Sequence, residues 1–430
     1  MNRRNFLKYS GIFAAMSSLP ASFHLSARNN NYSGKLLISI QVRGAWDVTS
    51  LCDPKMNVPG EAKINHWADT QETQTAGNIQ YAPFANNQSF FEKHYKDMLV
   101  INGIDHQTNS HSAGETQSYS GRISEGYPTL TALFSACTEP DFALSHINNG
   151  GFVSNAGLIR SSSFQDSHNF STIIEPNTPL FWNHSLLHSE DYDLMKQARL
   201  ERLEKMKAST VTTPRQKNNR QNYLAAINNS SSLDALKEEL ANAGEIADAT
   251  SQGIAWSNLA AQGQMALLAM KAGVSVAADL NLGGFDTHQN HDNNQADAMG
   301  LLTKDIEKIW EYAELYGLAD RLMVVVQSDF SRTPMYNEYG GKDHWPIGSS
   351  IIMEKNAPWA NRMVGFTDEG HNTFNIDPST LQKTDTGGTH IYPKHVVHAL
   401  RKYLGIDQHT LAAKFPFTDI EDFDFFNANL

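Results

Sequence analysis

Cysteine is nearly missing from this chain: Cys52 and Cys137 are the two in 430 residues. Two thiols cannot by themselves build a cysteine-type zinc site. In an oxidising compartment they either pair with each other or stay as two buried free thiols. Positive charge is also short, with 34 Lys and Arg against 46 Asp and Glu and a net charge of −12. With no basic patch to offset it, that balance argues against nucleic acid and anionic membrane surfaces as partners. No apolar run is long enough for a stable membrane span, and there is neither an internal repeat nor a low-complexity tract. What remains is a globular composition, 40% hydrophobic with 10% aromatics, in a chain long enough to bury a large core.

The first residues set the expected compartment. MNRRNFLKYSGIFAAMSSLPASFHLSA carries Arg3-Arg4, then Phe6-Leu7-Lys8, then a short, weakly apolar stretch ending in small residues. This is the layout of a targeting segment, and its order resembles the twin-arginine export signal. The expectation is a signal peptide over 1–28 and a mature chain from near Asn29, periplasmic or secreted. No cysteine follows the apolar stretch as a lipid-attachment site would require, so a soluble, cleaved product is expected. Twin-arginine export moves folded proteins, often with a cofactor already loaded.

Further along, continuous apolar runs rich in β-branched residues alternate with helical patterns. KLLISIQV (35–42), DMLVING (97–103), VSVAADLNL (274–282), RLMVVVQS (321–328) and IGSSIIME (347–354) read as strands buried on both faces. LAAQGQMALLAMKAG, with Gly273 as its stop, LLTKDIEKIWEYAELYG and PKHVVHALRKYLGI (393–406) read as helices. The alternation predicts one α/β domain over 29–430, with a largely parallel sheet flanked by helices. Residues 187–250 are charged and helical in pattern and are expected to form an insertion beside that sheet.

Ligands of open α/β sheets sit at the carboxyl ends of the strands, and here those ends deliver acids, imidazoles and hydroxyls. After the first strand comes RGAWD with Asp47; after the second, DHQTNSHSAGETQSYSGR; after the third, GGFDTHQNH with Asp286, His288 and His291. After the fourth come Asp329 and Arg332, then GGKDHWP with Asp343 and His344. Singly, each is an ordinary helix cap, turn residue or core histidine. Together, carboxylates and imidazoles at one focus suit a divalent metal, zinc or manganese, as one or two ions.

RGAWD, the Asn109-Ser110-His111 stretch, GGFDTHQN, QSDFSRTP and GGKDHWPIGSS, in that order, resemble the twin-arginine-exported bacterial proteins of domain-of-unknown-function family 1501. The resemblance runs from about residue 35 to 405 and is distantly similar to the alkaline phosphatase, sulfatase and phosphoglycerate mutase superfamily. It implies an alkaline-phosphatase-like fold and a metal site built from Asp47, Asp286, His288, Asp329 and His344, with His291 in reserve for His288. It further implies Ser110 as nucleophile, with His111 and Arg332 beside it and Arg332 and Arg122 holding a phosphate or sulfate oxygen pair. Phe330 departs from the pattern, standing where such enzymes place a metal-binding histidine, and His111 or Asp343 is the candidate replacement. Ser331 stands where relatives carry glycine.

Two classes of function follow from these residues. One is metal-dependent hydrolysis of phosphate or sulfate esters, on a small-molecule or polysaccharide substrate. The other is a non-catalytic binding or assembly protein on the same fold, which Phe330 favours. The hydroxyls of DHQTNSHSAGETQSYSGR likewise have two readings: a nucleophile at a strand-to-helix turn, or Ser110 or Ser112 as N-cap with Glu115 closing a capping box.

Overall fold

The computed structural model describes residues 32–428 apart from 140, 164–186, 209–212, 214, 215, 217–232, 234, 244–249, 253 and 254. The expected signal peptide therefore lies outside the described residues. The centre is an eight-stranded sheet. Its strands are β1 (Leu36–Val42), β2 (Met98–Asp105), β3 (His146–Asn148), β4 (Ser161–Ser162), β5 (Ala277–Leu282), β6 (Leu322–Ser328), β7 (Ile347–Glu354) and β8 (Arg362–Val364). They lie in the order β8-β2-β7-β6-β1-β5-β3-β4. β1 runs parallel to both β5 and β6, and β3 continues the parallel set from β5 to β4. β7 runs antiparallel to both of its neighbours, β6 and β2. The sheet is thus mixed and mostly parallel. The reversal at β7 has a local cause: the chain between β6 and β7 holds no crossover helix among its elements and spends its length on the loop that carries Arg332 and His344.

β1 shows why these segments are strands. All seven residues of LLISIQV are buried, as expected of a strand covered on both faces. Each of its fully buried Leu, Ile and Val side chains contributes about 1.5–3 kcal/mol of burial free energy before entropy is counted.

The flanking helices are α1 (Asn87–His94), α2 (His111–Ser120), α3 (Leu130–Thr138), α4 (Ser189–Ala208), α5 (Leu259–Lys271), α6 (His291–Leu315) and α7 (Pro393–Tyr403). α5 ends at Gly273, which takes φ 68°, while Val274 N donates back to Ala269 O at 3.0 Å. Because Val274 is used in closing the helix, β5 starts at Ala277 and not at 274. α6 begins at His291, well before the apolar pattern that announced it, because the polar stretch HDNNQADAMG forms its first turns and buries Gln295, Ala298 and Met299. Within the charged stretch 187–250, α4 and residues 235–242 are helical, and much of the remainder lies outside the described residues. Cys52 and Cys137 are both free, Cys52 buried. No helix among the described residues is long and apolar enough to cross a membrane.

Candidate metal centre at the strand ends

The carboxyl ends of β1, β2 and β6 and the loop after β5 meet at one place. His111 opens α2, just beyond β2; Asp286 and His288 follow β5; Asp329 and Arg332 follow β6; His344 lies in a two-residue pairing with Ser331–Arg332. α2 is held close to the end of β6 by Gly114, where an added methyl group would stand 2.5 Å from the Asp329 carbonyl oxygen. A glycine inside a helix costs about 1 kcal/mol relative to alanine. Here it permits the approach that brings His111 to Asp329.

Three imidazoles converge on one carboxylate. The Nε2 atoms of His288, His111 and His344 lie 3.2, 3.5 and 3.8 Å from Asp286 Oδ1. Each ring is oriented from behind by an oxygen at Nδ1. His111 Nδ1 bonds the Asp329 carboxylate, His288 Nδ1 bonds Asp343 Oδ1 at 2.7 Å, and His344 Nδ1 bonds the Asn109 carbonyl at 2.7 Å. In a neutral ring this places the proton on Nδ1 and leaves an Nε2 lone pair facing inward, the arrangement of metal-ligating histidines.

The donor set passes a direct test of fit for a cation. His288 Nε2 and His344 Nε2 stand 3.0 Å apart, with Arg332 Nη1 also reaching His288 Nε2 at 3.4 Å, and His111 Nε2 is buried with no hydrogen-bond partner. His111, Asp286 and His344 each offer one ligand atom within 4.8 Å of the others. Tetrahedral metal–nitrogen bonds of about 2.0–2.1 Å bring ligand atoms to roughly this spacing.

The electrostatics agree in part. Burial works against charge on Asp286, but the Arg332 guanidinium bonded to it at 2.6 Å holds the carboxyl below its ordinary range. Burial lowers the His344 pKa, which keeps that ring neutral and able to donate a lone pair. The Asp329 bond raises the His111 pKa, so there a proton competes with any cation.

Several residues singled out by the sequence take other places. Asp47 is fully buried in a separate network. Its Oδ2 accepts from Lys342 Nζ at 2.6 Å and faces His291 Nε2 at 2.9 Å, while Oδ1 accepts from Thr49 Oγ1 at 2.6 Å. Burial opposes its charge, yet the Lys342 ammonium and His291 outweigh that and hold the carboxyl far below the carboxylate range. His291 is thereby engaged with Asp47 and not with the three-histidine cluster. Asp329 acts behind His111; its other oxygen accepts from Ala45 N and Ser328 Oγ, both at 2.8 Å. Asp343 stands behind His288 in the same way.

Arg332 is buried, and its five N–H donors all have acceptors. They go to the Ala45, Gly44 and Lys342 carbonyls, to Asp286 Oδ1 and to His288 Nε2. It neutralises Asp286 and has no donor left for a substrate oxygen pair. Arg122 packs over the Tyr127 ring. Phe330 is buried; it stacks on His111 and lies tilted against His344, each at 4.9 Å between ring centroids. It is an apolar wall in the position where a ligand was expected.

Ser110 is the N-cap of α2, exposed, between Asn109 and His111. Its side chain makes no capping bond; its Oγ lies 3.4 Å from Ser112 Oγ. No capping box forms through Glu115, which instead bonds Arg43 at 2.8 Å.

The sequence reading missed Lys342, although it sits inside GGKDHWP. A lysine beside an Asp-His pair looks like surface charge until the fold buries it against Asp47, Asn65 and Thr49. No signal in the sequence pairs residues so far apart.

The profile of the family described as "Protein of unknown function (DUF1501)" matches residues 34–354. No curated protein matches the chain. Among solved structures, a lipoteichoic acid synthase from Listeria monocytogenes is 11% identical, with 97% of this chain and 81% of that chain covered and a TM-score of 0.35. A protein in the alkaline phosphatase superfamily from Vibrio parahaemolyticus is 9% identical over 94% of this chain and 76% of that one, with a TM-score of 0.35. A sulfatase from Pseudoalteromonas sp. is 9% identical over 85% and 68%, with a TM-score of 0.33. At these values the likeness says nothing about chemistry.

Proposed function

This chain belongs to the DUF1501 family, and from that premise we propose that it is an exported, metal-dependent hydrolase of phosphate or sulfate esters. The observation that carries the reading is the convergence of three histidine Nε2 atoms on Asp286, each ring oriented through Nδ1. His111, His288, His344 and Asp286 would hold the ion, zinc being the better match to a nitrogen-rich set and manganese the alternative. When bound, a divalent ion supplies a Lewis acid and a fixed positive charge for ester oxygens.

The remaining work falls to the chain. The uncapped N-terminus of α2 leaves its first amides free to receive an anionic oxygen. Ser110, exposed at that terminus next to His111, is the hydroxyl that would attack, with Ser112 beside it. Arg332 keeps Asp286 ionised and aimed, and Phe330 excludes water from one side of the histidines.

Metal analysis of protein purified from the periplasm tests the reading, together with turnover of aryl phosphate and aryl sulfate esters before and after chelation. The expected result is bound zinc or manganese, with turnover lost on chelation and restored by the ion. Closure of Arg332 and the Phe330 wall favour the second reading, a binding or assembly protein. Bound metal without turnover of either ester class would establish that one instead.

A further inference from the structure

A second constellation lies away from this centre, on one face of three neighbouring strands at the opposite side of β1. Asp279 is on β5, His146 on β3 and Ser161 on the edge strand β4, where His146 and Ser161 are direct partners in register. His146 Nδ1 stands 2.8 Å from Ser161 Oγ, and His146 Nε2 stands 3.0 Å from Asp279 Oδ2. His146 and Asp279 are buried, and Ser161 at the sheet edge is half-buried. Thr131 of α3 donates its hydroxyl to the Asp279 carboxylate, 2.8 and 2.9 Å from the two oxygens, which fixes the acid in place.

We propose that Ser161, His146 and Asp279 form a nucleophile–base–acid relay that takes small carboxylic esters, independent of the metal centre. The geometry meets the requirements of such a relay: nucleophile bonded to base, base bonded to an orienting carboxylate, carboxylate buried and itself held. With Nε2–H donated to Asp279, Nδ1 of the neutral ring carries the lone pair that faces the serine hydroxyl. Ser161 Oγ bonds to the acyl carbon as its proton passes to His146 Nδ1. The ester C–O bond then breaks, and the departing alkoxide takes that proton as an alcohol. Water, giving a proton to the same nitrogen, adds to the acyl-serine. The acid leaves, and the proton returns to Ser161 Oγ. The order of nitrogens is the reverse of the familiar serine hydrolase, but the roles are the same, and roles define the constellation.

The test is covalent labelling of the unaltered full chain with a fluorophosphonate at pH 8, read by peptide mass spectrometry, in the presence of a chelator. The expected adduct is on Ser161, with fluoride displaced. Ser161→Ala should remove it and cut p-nitrophenyl acetate turnover by at least about 100-fold. Folded, unaltered protein that leaves Ser161 unlabelled under excess reagent overturns the proposal and makes the three residues a structural bond network. An adduct on Ser110 or Ser112 alone overturns it equally and reports on the other site. The chelator separates the two centres, since loss of the metal does not touch this one.

Discussion

At the scale of single residues, the structure divides side chains that the sequence presents as equals. Ser110 is a cap by position and not by bonding, since its hydroxyl caps no backbone amide. Ser110→Ala should therefore change stability by less than about 0.5 kcal/mol, below the usual loss for a bonded cap, while abolishing ester turnover. Chemical denaturation and a turnover assay on the one variant check both halves; a loss above about 1 kcal/mol would show that the hydroxyl does cap in solution. Lys342 is the contrary case. Its ammonium is fully buried against Asp47, so Lys342→Met leaves a buried carboxylate without its main partner and should cost about 3–5 kcal/mol. Denaturation measures that directly, and Asp47→Asn in the same chain should recover part of the loss, because the stranded charge is then gone.

At the scale of elements, the centre depends on how closely α2 lies against the end of β6. Gly114→Ala would gain helix propensity, but its methyl group would meet Asp329 O at 2.5 Å and Phe330 Cδ1 at 2.9 Å. The contact should outweigh the propensity, destabilising the chain by about 1–3 kcal/mol. It should also weaken metal binding by pushing His111 away from Asp329. Calorimetric titration with zinc alongside a thermal melt would check both effects; a stabilised variant with unchanged affinity would mean that α2 moves freely. The same scale explains why most strands and helices were legible in the chain. Buried strands such as β1 and β6 are mostly apolar and buried along their whole length, and α5 ends at a glycine in the left-handed region. The start of α6 was hidden because asparagines and aspartates make its first turns. β3, β4 and β8 are too short to carry a period.

At the scale of the whole molecule, stability should fall with acid in a window set by buried histidines. His371 has no exposed surface and no hydrogen bond at either ring nitrogen, its Nε2 standing 3.5 Å from Asp53 Oδ2, and burial outweighs that carboxylate and pushes the pKa from 6.5 down to about 4. The unfolded chain then binds the proton that the folded chain refuses, so the contribution is intact above about pH 6.5, is lost as the pH falls toward 4, and changes no further below that. Between pH 7 and pH 5 the loss from this one group is about 2 kcal/mol. Unfolding free energies at those two pH values, with His371→Asn as the comparison, would reveal it. An equal pH dependence in both proteins would remove His371 as the source.

The chain by itself determined an α/β fold, the buried strands, and the kinds of group gathered at the strand ends. Those are matters of local periodicity and composition, which apolar runs and terminal residues declare without any partner. Only the tertiary structure decided which of those groups face one another. Asp47 and Asp286 both follow apolar strands and both look like metal carboxylates in the sequence. One is sealed against Lys342 and His291, and the other opens among three histidines. That difference comes from strand order and from the loop between β6 and β7. It is settled by contacts across hundreds of residues, and no local pattern encodes them.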